Sequence, residues 1–109
     1  MLRAEGAKPP SEGHSIRITV EGRSIAVFQV GGKLCAIDSK CTHVGGPLDE
    51  GEIDGTKVTC PWHGSEFDLT TGRVLVGPAT KPVRAYRVRA DASGLDLEPL
   101  SDTGQPGFV

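Results

Sequence analysis

The sequence predicts an all-β fold, and three observations support this class. Apolar and polar residues alternate along several stretches, as they do in a half-buried strand. Fifteen glycines and eight prolines among 109 residues provide turn positions between these stretches. Aromatic residues make up only 5% of the chain, and no stretch carries a clear helical period. The length corresponds to one domain, which we assign to 1–109.

The first half of the domain predicts a three-stranded meander after an irregular lead-in at 1–14. Alternating segments at 15–20, 24–30 and 33–38 are separated by the dipeptides Glu21-Gly22 and Gly31-Gly32. Turn dipeptides between alternating segments are typical of antiparallel hairpins.

The second half predicts further short hairpins. The segment 51–60 has Asp54-Gly55 as its turn, and 66–75 turns around Gly72. A loop at 77–82, a hairpin formed by 83–90 and 94–100, and a loose tail at 101–109 complete the chain. Short strands with regular turns favour an antiparallel sandwich or barrel.

Composition excludes several classes of function. The formal net charge is −2, and there is no clustered basic surface of the kind that nucleic-acid binding needs. No segment approaches the ~18–20 apolar residues that span a bilayer, and the N-terminus lacks the apolar core of a secretory signal. We therefore expect a soluble, cytoplasmic protein. Its odd number of cysteines, three, favours metal chemistry over a disulfide framework.

Four potential metal ligands occur as two short mixed pairs. Cys41 and His43 form the first pair, and Cys60 and His63 form the second. Each pair follows a predicted strand and is surrounded by glycine and proline. Two cysteines and two histidines can bind tetrahedral zinc, so a zinc-binding interaction module is one interpretation. The spacing is unusual for structural zinc, because like ligands are normally paired two to four residues apart.

This pattern, Cys-x-His followed by Cys-x-x-His, strongly resembles the Rieske family. The resemblance implies a [2Fe–2S] cluster at the tip of an antiparallel Rieske-type sandwich, bound by a subdomain that contains both loops. It also implies that Cys41 and Cys60 bind the inner iron, and His43 and His63 the outer iron. Neutral imidazoles remove negative charge from the site and raise its potential above that of an all-cysteine cluster.

Departures from the respiratory Rieske proteins indicate which branch this chain resembles. Gly46 and Trp62 stand where those proteins carry a second cysteine pair, so no bracing disulfide can form. Ser65 is present, but Phe67 replaces a tyrosine whose hydroxyl would stabilise the reduced cluster, so we expect a lower potential.

The pattern instead resembles ferredoxins of bacterial aromatic-ring dioxygenase systems. Such proteins carry single electrons from a flavin-dependent reductase to a terminal oxygenase. The small subunit of an assimilatory nitrite reductase is an alternative. The chain has three histidines in all, too few for a second iron site, so we expect an electron carrier rather than an enzyme.

Several other residues carry competing interpretations. By resemblance, Trp62 and the loop containing Pro78 cover the cluster, although both also fit ordinary packing. Cys35 lies in a predicted strand and is expected to be a small buried hydrophobe. His14 is expected at the surface. An acidic run after the first pair is either a docking surface for a basic partner or a solvated hairpin, and it consists of Asp49, Glu50, Glu52 and Asp54.

Overall fold

A computed structural model of the chain describes residues 2–42, 45–62, 64–77 and 79–100. These residues form ten strands and one short 3₁₀ helix, Leu48–Glu50. The strands are β1 (Leu2–Glu5), β2 (Ser15–Val20), β3 (Arg23–Val30), β4 (Lys33–Asp38), β5 (Glu52–Asp54), β6 (Lys57–Thr59), β7 (Glu66–Asp68), β8 (Val74–Val76), β9 (Ala85–Asp91) and β10 (Gly94–Pro99).

Six strands form a strongly curled antiparallel sheet in the order β1-β10-β9-β4-β3-β2. The two terminal strands of this sheet, β1 and β2, contact each other, so the sheet approaches a closed barrel. Alternating side chains point into the barrel and form one apolar core. The fully buried members of that core are Ile25, Val27, Ala36, Leu95 and Leu97.

The other four strands form a smaller antiparallel sheet in the order β5-β6-β7-β8. In the chain this subdomain is inserted between β4 and β9 of the barrel. A second apolar core joins the subdomain to the outer face of the barrel. Its buried members include Phe28, Cys35, Ile37 and Ala85 from the barrel, and Leu48, Val58, Phe67 and Leu69 from the inserted segment.

The structure confirms the all-β fold class and most predicted strands. β2 and β4 have the predicted boundaries, and β3 differs by one residue at its start. The irregular lead-in predicted at 1–14 is wrong for residues 2–5, which form β1 and pair with β10. The predicted tail at 101–109 lies outside the described residues.

β1 is fixed to the barrel by an exposed polar cluster as well as by its backbone ladder. The guanidinium of Arg3 donates to carboxylates of Asp91 at 2.8 Å, Asp96 at 2.9 Å and Glu5 at 2.6 Å. It thereby links three strands, β1, β9 and β10. No helix in the described part of the chain is long and apolar enough to cross a membrane.

Candidate metal centre

Both candidate cysteine ligands are buried, and each is the first residue of a loop. Cys41 follows β4, and Cys60 follows β6. Cys41 is 3% exposed and Cys60 is 2% exposed. Exposed loop residues nevertheless lie within three positions of each cysteine. We name residues 41–46 the first cysteine loop and residues 60–65 the second cysteine loop.

The first cysteine loop is closed by two backbone hydrogen bonds. The Cys41 N–H donates to the Gly46 carbonyl at 2.8 Å, and the Gly45 N–H donates to the Cys41 carbonyl at 2.8 Å. Gly45 has φ of 78°, in the left-handed region that glycine adopts without a steric penalty. The loop is therefore a tight turn that begins and ends at a buried position.

The second cysteine loop repeats this arrangement. The Cys60 N–H donates to the Ser65 carbonyl at 2.7 Å, and the Gly64 N–H donates to the Cys60 carbonyl at 3.0 Å. Gly64 has φ of 81° at the equivalent position. The two loops consequently present their cysteines on matching turns, as a site with one sulfur ligand from each loop requires.

The two loops meet at Gly46 and Cys60. A Cβ atom placed on Gly46 would lie 2.6 Å from the Cys60 Sγ and 3.2 Å from ring atoms of Trp62. Real Cβ atoms essentially never approach another atom to 2.6 Å, so any side chain at position 46 would displace the Cys60 thiol. Gly46 thus permits the first loop to lie directly against the cysteine of the second.

A third segment, the proline loop at 77–82, is tied to both cysteine loops. The Thr42 hydroxyl donates to the Lys81 carbonyl at 2.6 Å. The Ala79 N–H donates to the Ser65 hydroxyl at 2.9 Å, and Ser65 is fully buried. Because Ser65 accepts this bond, its own hydroxyl proton can be donated to another acceptor at the site.

The other predicted ligands, His43 and His63, lie outside the described residues, as does Pro78. Among the residues that are described, no group of three or more His, Cys, Asp and Glu side chains is arranged to hold a metal ion. The two thiols nevertheless suit iron and sulfide, because soft ligands held in a buried site favour such clusters.

Cys35 differs from the two loop cysteines because it lies within a strand, β4. It is 8% exposed in the core between barrel and subdomain, and burial, followed by the charge of Asp68, raises the pKa of its thiol. The prediction of a small buried hydrophobe is confirmed. His14 is exposed, as predicted.

Trp62 and Phe67 differ sharply in their surroundings. The indole of Trp62 lies beside Gly46 and is 57% exposed, so it covers part of the first loop while facing solvent. Phe67 is completely buried in the core below the loops. Sequence reasoning missed the contact of Gly46 with Cys60 and the bond from Thr42 to Lys81. Both join residues that are distant in the chain and carry no local signal.

The chain was compared with families and proteins of known identity. A family model described as the Rieske [2Fe-2S] domain matches residues 4–87. The ferredoxin component of the naphthalene 1,2-dioxygenase system of Pseudomonas aeruginosa is 36% identical over 87 residues, which cover 80% of this chain and 84% of that relative. The 3-phenylpropionate/cinnamic acid dioxygenase ferredoxin subunit of Shigella boydii is 38% identical over 88 residues, 80% of this chain and 82% of that subunit.

Solved structures give the same result for the fold. The ferredoxin of carbazole 1,9a-dioxygenase from Nocardioides aromaticivorans superposes with a TM-score of 0.77 at 30% identity, covering 90% of this chain and 98% of that one. A ferredoxin solved in a complex of reduced oxygenase and oxidized ferredoxin of carbazole 1,9a-dioxygenase has a TM-score of 0.76 at 29% identity, with 87% and 98% covered.

Proposed function

The chain belongs to the Rieske [2Fe-2S] family, and we propose that it carries single electrons from a flavin-dependent reductase to a terminal oxygenase. The two curated relatives described above are ferredoxin components of dioxygenase systems, and this chain covers 84% and 82% of their lengths. A structural relative has been solved together with its oxygenase. These similarities favour an electron-transfer component over a catalytic one.

The proposed ligands are Cys41 and Cys60 for one iron, and His43 and His63 for the other. Support for the cysteines comes from their burial, their matching loops and the contact of Gly46 with the Cys60 Sγ. When bound, the [2Fe-2S] cluster supplies reversible one-electron chemistry. The two thiolates offset part of the positive charge of the iron, whereas the neutral imidazoles contribute no negative charge.

The surrounding residues exclude water and hold the loops in place. A buried charge is costly unless hydrogen-bond donors surround it, so donors near the thiols favour the reduced, more negative state. Ser65 provides one hydroxyl donor from a fully buried position. The proline loop, tied to the cysteine loops through Ser65 and Thr42, restricts solvent access from its side.

We also propose a cytoplasmic location. None of the three cysteines forms a disulfide, and thiols persist in reducing compartments. The two cysteine ligands must likewise be available as thiolates when the cluster is inserted.

The observation that carries the proposal is the meeting of two matching cysteine loops at Gly46 and Cys60. A direct test is to reduce the holo-protein and mix it anaerobically with the terminal oxygenases of naphthalene, 3-phenylpropionate and carbazole dioxygenases. We expect one electron per chain to reach at least one oxygenase. Failure to reduce any of the three, with the reduced cluster intact, would contradict the proposed function.

A further inference from the structure

The small four-stranded sheet carries four carboxylates around one lysine on its outer face. Residues directly opposite each other on antiparallel strands point to the same face of a sheet. Two rows of such residues cross β5, β6 and β7, and we name them the charged face: Asp54, Lys57 and Asp68 in one row, and Glu52, Thr59 and Glu66 in the next. Every residue of the four strands is described, and Lys57 is the only basic residue among them.

Lys57 lies among these carboxylates rather than beside a single one. Its Nζ donates to the Glu66 Oε1 at 3.0 Å. In the strand register it lies between Asp54 on one side and Asp68 on the other. The hydrogen bond to Glu66 and the charge of Glu66, followed by the charge of Asp54, raise the pKa of Lys57. One ammonium group therefore compensates a face that carries four negative charges.

The charged face lies on the opposite side of the sheet from the second apolar core, to which Cys60 belongs. Val58 and Phe67 alternate with the charged residues and are fully buried in that core, together with Cys60. Thr59 and Glu66 form the last register pair before the second cysteine loop, and Cys60 follows Thr59 directly. Opposite Cα atoms lie about 5 Å apart and successive ones about 3.8 Å apart, so the Cα atoms of Glu66 and Cys60 are within roughly 10 Å.

Protein rather than water fills the space between the charged face and the buried sulfur atoms. Charges separated by protein are screened less than charges separated by solvent. Asp68 provides an example, because its charge is the next cause after burial that raises the pKa of the Cys35 thiol in the second core. Carboxylates of the charged face therefore act electrostatically on buried sulfur across the sheet.

Resting on the function proposed above, we infer that Lys57 tunes the redox potential of this protein by compensating the carboxylates of the charged face. Reduction adds one negative charge to the site, and nearby carboxylates oppose that charge. Lys57 offsets part of this opposition and so makes the protein easier to reduce. An ion pair with a purely structural role would instead hold the second cysteine loop in place, and loss of either partner would then change the potential in the same direction.

The test measures the midpoint potentials of Lys57→Met and Glu66→Gln, singly and together, in anaerobic titrations of the holo-protein. Methionine retains the apolar stem of the lysine, and glutamine retains the shape of the glutamate. Lys57→Arg keeps the positive charge. Arg87→Met is the control, because it removes a cation from an exposed ion pair with Glu98, at 3.4 Å, on the barrel. Iron and sulfide per chain are measured for every variant, and each titration is run at about 0.1 M and 1 M salt.

The two single variants should shift in opposite directions. At an ambient potential fixed at the wild-type midpoint and in 0.1 M salt, the ratio of reduced to oxidised protein should fall about threefold in Lys57→Met and rise about threefold in Glu66→Gln. The double variant, Lys57→Arg and Arg87→Met should stay within about 1.5-fold of the wild type. Both single shifts should become smaller in 1 M salt, which screens charges more strongly.

An unchanged or increased ratio in Lys57→Met would overturn the inference. So would shifts of both single variants in the same direction, since the pair would then act by holding the loop, or an equal shift in Arg87→Met, since any surface cation would then serve. If Lys57→Met fails to retain its cluster, Glu66→Gln decides alone, because only a rise in its ratio fits compensation of charge. A wild type without a reversible one-electron couple would count against the proposed function, and not specifically against Lys57.

Discussion

At the scale of single residues, Gly46 determines whether the two cysteine loops can meet. The space beside its Cα is occupied by the Cys60 Sγ, 2.6 Å from the position of a Cβ. Gly46→Ala should therefore displace Cys60, a proposed cluster ligand, and overpacking of this kind costs about 1–3 kcal/mol. We expect iron and sulfide per chain to fall below about half of the wild-type values.

Gly77→Ala provides the matched control for this prediction. A Cβ at Gly77 would find its nearest neighbours at 3.7 and 3.8 Å, which is ordinary contact. This variant should load its cluster normally. Equal loading of the Gly46 and Gly77 variants would show that the approach of Gly46 to Cys60 is not needed for cluster binding.

A second residue, Tyr86, links the barrel interior to the end of β4, which leads into the first cysteine loop. Its buried hydroxyl donates to Asp38 at 2.6 Å and accepts from Arg23 at 3.2 Å. Burial and, next, the bond to Asp38 raise the pKa of Tyr86 to about 12. The folded state thus holds the phenol proton more tightly than the unfolded chain, in which tyrosine titrates near ~10.

This shift makes alkaline stability a test of the Tyr86 environment. The contribution of the protonated Tyr86 phenol to the stability of the folded state is fully present below pH ~10. It is lost as the pH rises toward the pKa of Tyr86 in the folded state. Tyr86→Phe should lower the free energy of unfolding by about 1 kcal/mol at pH 8, because it removes buried hydrogen bonds. The difference between the two proteins in urea midpoint should shrink between pH 9 and pH 11. A difference that stays constant over this range would contradict the assigned pKa direction.

At the scale of elements, the proline loop depends on few side-chain bonds to the cysteine loops. The bond from Thr42 to Lys81 joins the first cysteine loop to the proline loop over a distance of 39 residues in the chain. Thr42→Val keeps the side-chain shape but removes the donor. Loss of about 1 kcal/mol should make opening of the proline loop, and hence loss of the cluster, about fivefold faster.

The measurement is the decay of visible absorbance of the holo-protein in excess iron chelator. Thr19→Val, the same change at an exposed position on β2, serves as the control and should decay at the wild-type rate. If the Thr42 and Thr19 variants decay alike, the hydroxyl of Thr42 has no part in retaining the cluster.

The attachment of β1 is a second property at this scale. Arg3 faces three carboxylates, and its guanidinium holds the pKa of Asp91 well below its usual range. Arg3→Met should therefore increase amide hydrogen exchange in β1 and in the part of β10 with which it pairs, and 1 M salt should reduce the difference from wild type.

Arg17→Met on β2 removes an exposed arginine from the same sheet and should leave exchange in β1 unchanged. Wild-type exchange rates in the Arg3 variant would mean that the backbone ladder alone holds β1 in place.

At the scale of the whole molecule, the sequence predicted those strands that pair with their neighbours in the chain. Alternation and turn dipeptides identified β2, β3 and β4 because each adjoining pair is a hairpin between neighbours in the chain. β1 was missed because its four residues carry little alternation and its partner is distant, with Leu2 opposite Leu97. The curling of the large sheet toward a barrel likewise depends on contacts between remote strands.

The same distinction applies to the candidate site. The ligand pattern could be read because each pair is local, whereas the fit of the loops depends on tertiary contacts of Gly46 and Thr42. The acidic run could be interpreted from the sequence as a docking surface or as a solvated hairpin. Glu50, Glu52 and Asp54 are exposed, and the last two lie on β5, at the edge of the small sheet opposite β8. This location fits protection of an edge strand.

The central claim is that two cysteine loops and their histidines bind one dinuclear iron–sulfur centre. The most direct measurement is the content of iron, acid-labile sulfide and zinc per chain in protein purified anaerobically with its native metal. We predict two irons and two sulfides per chain, in keeping with the [2Fe-2S] family, with little zinc. Stoichiometric zinc without sulfide would contradict the claim.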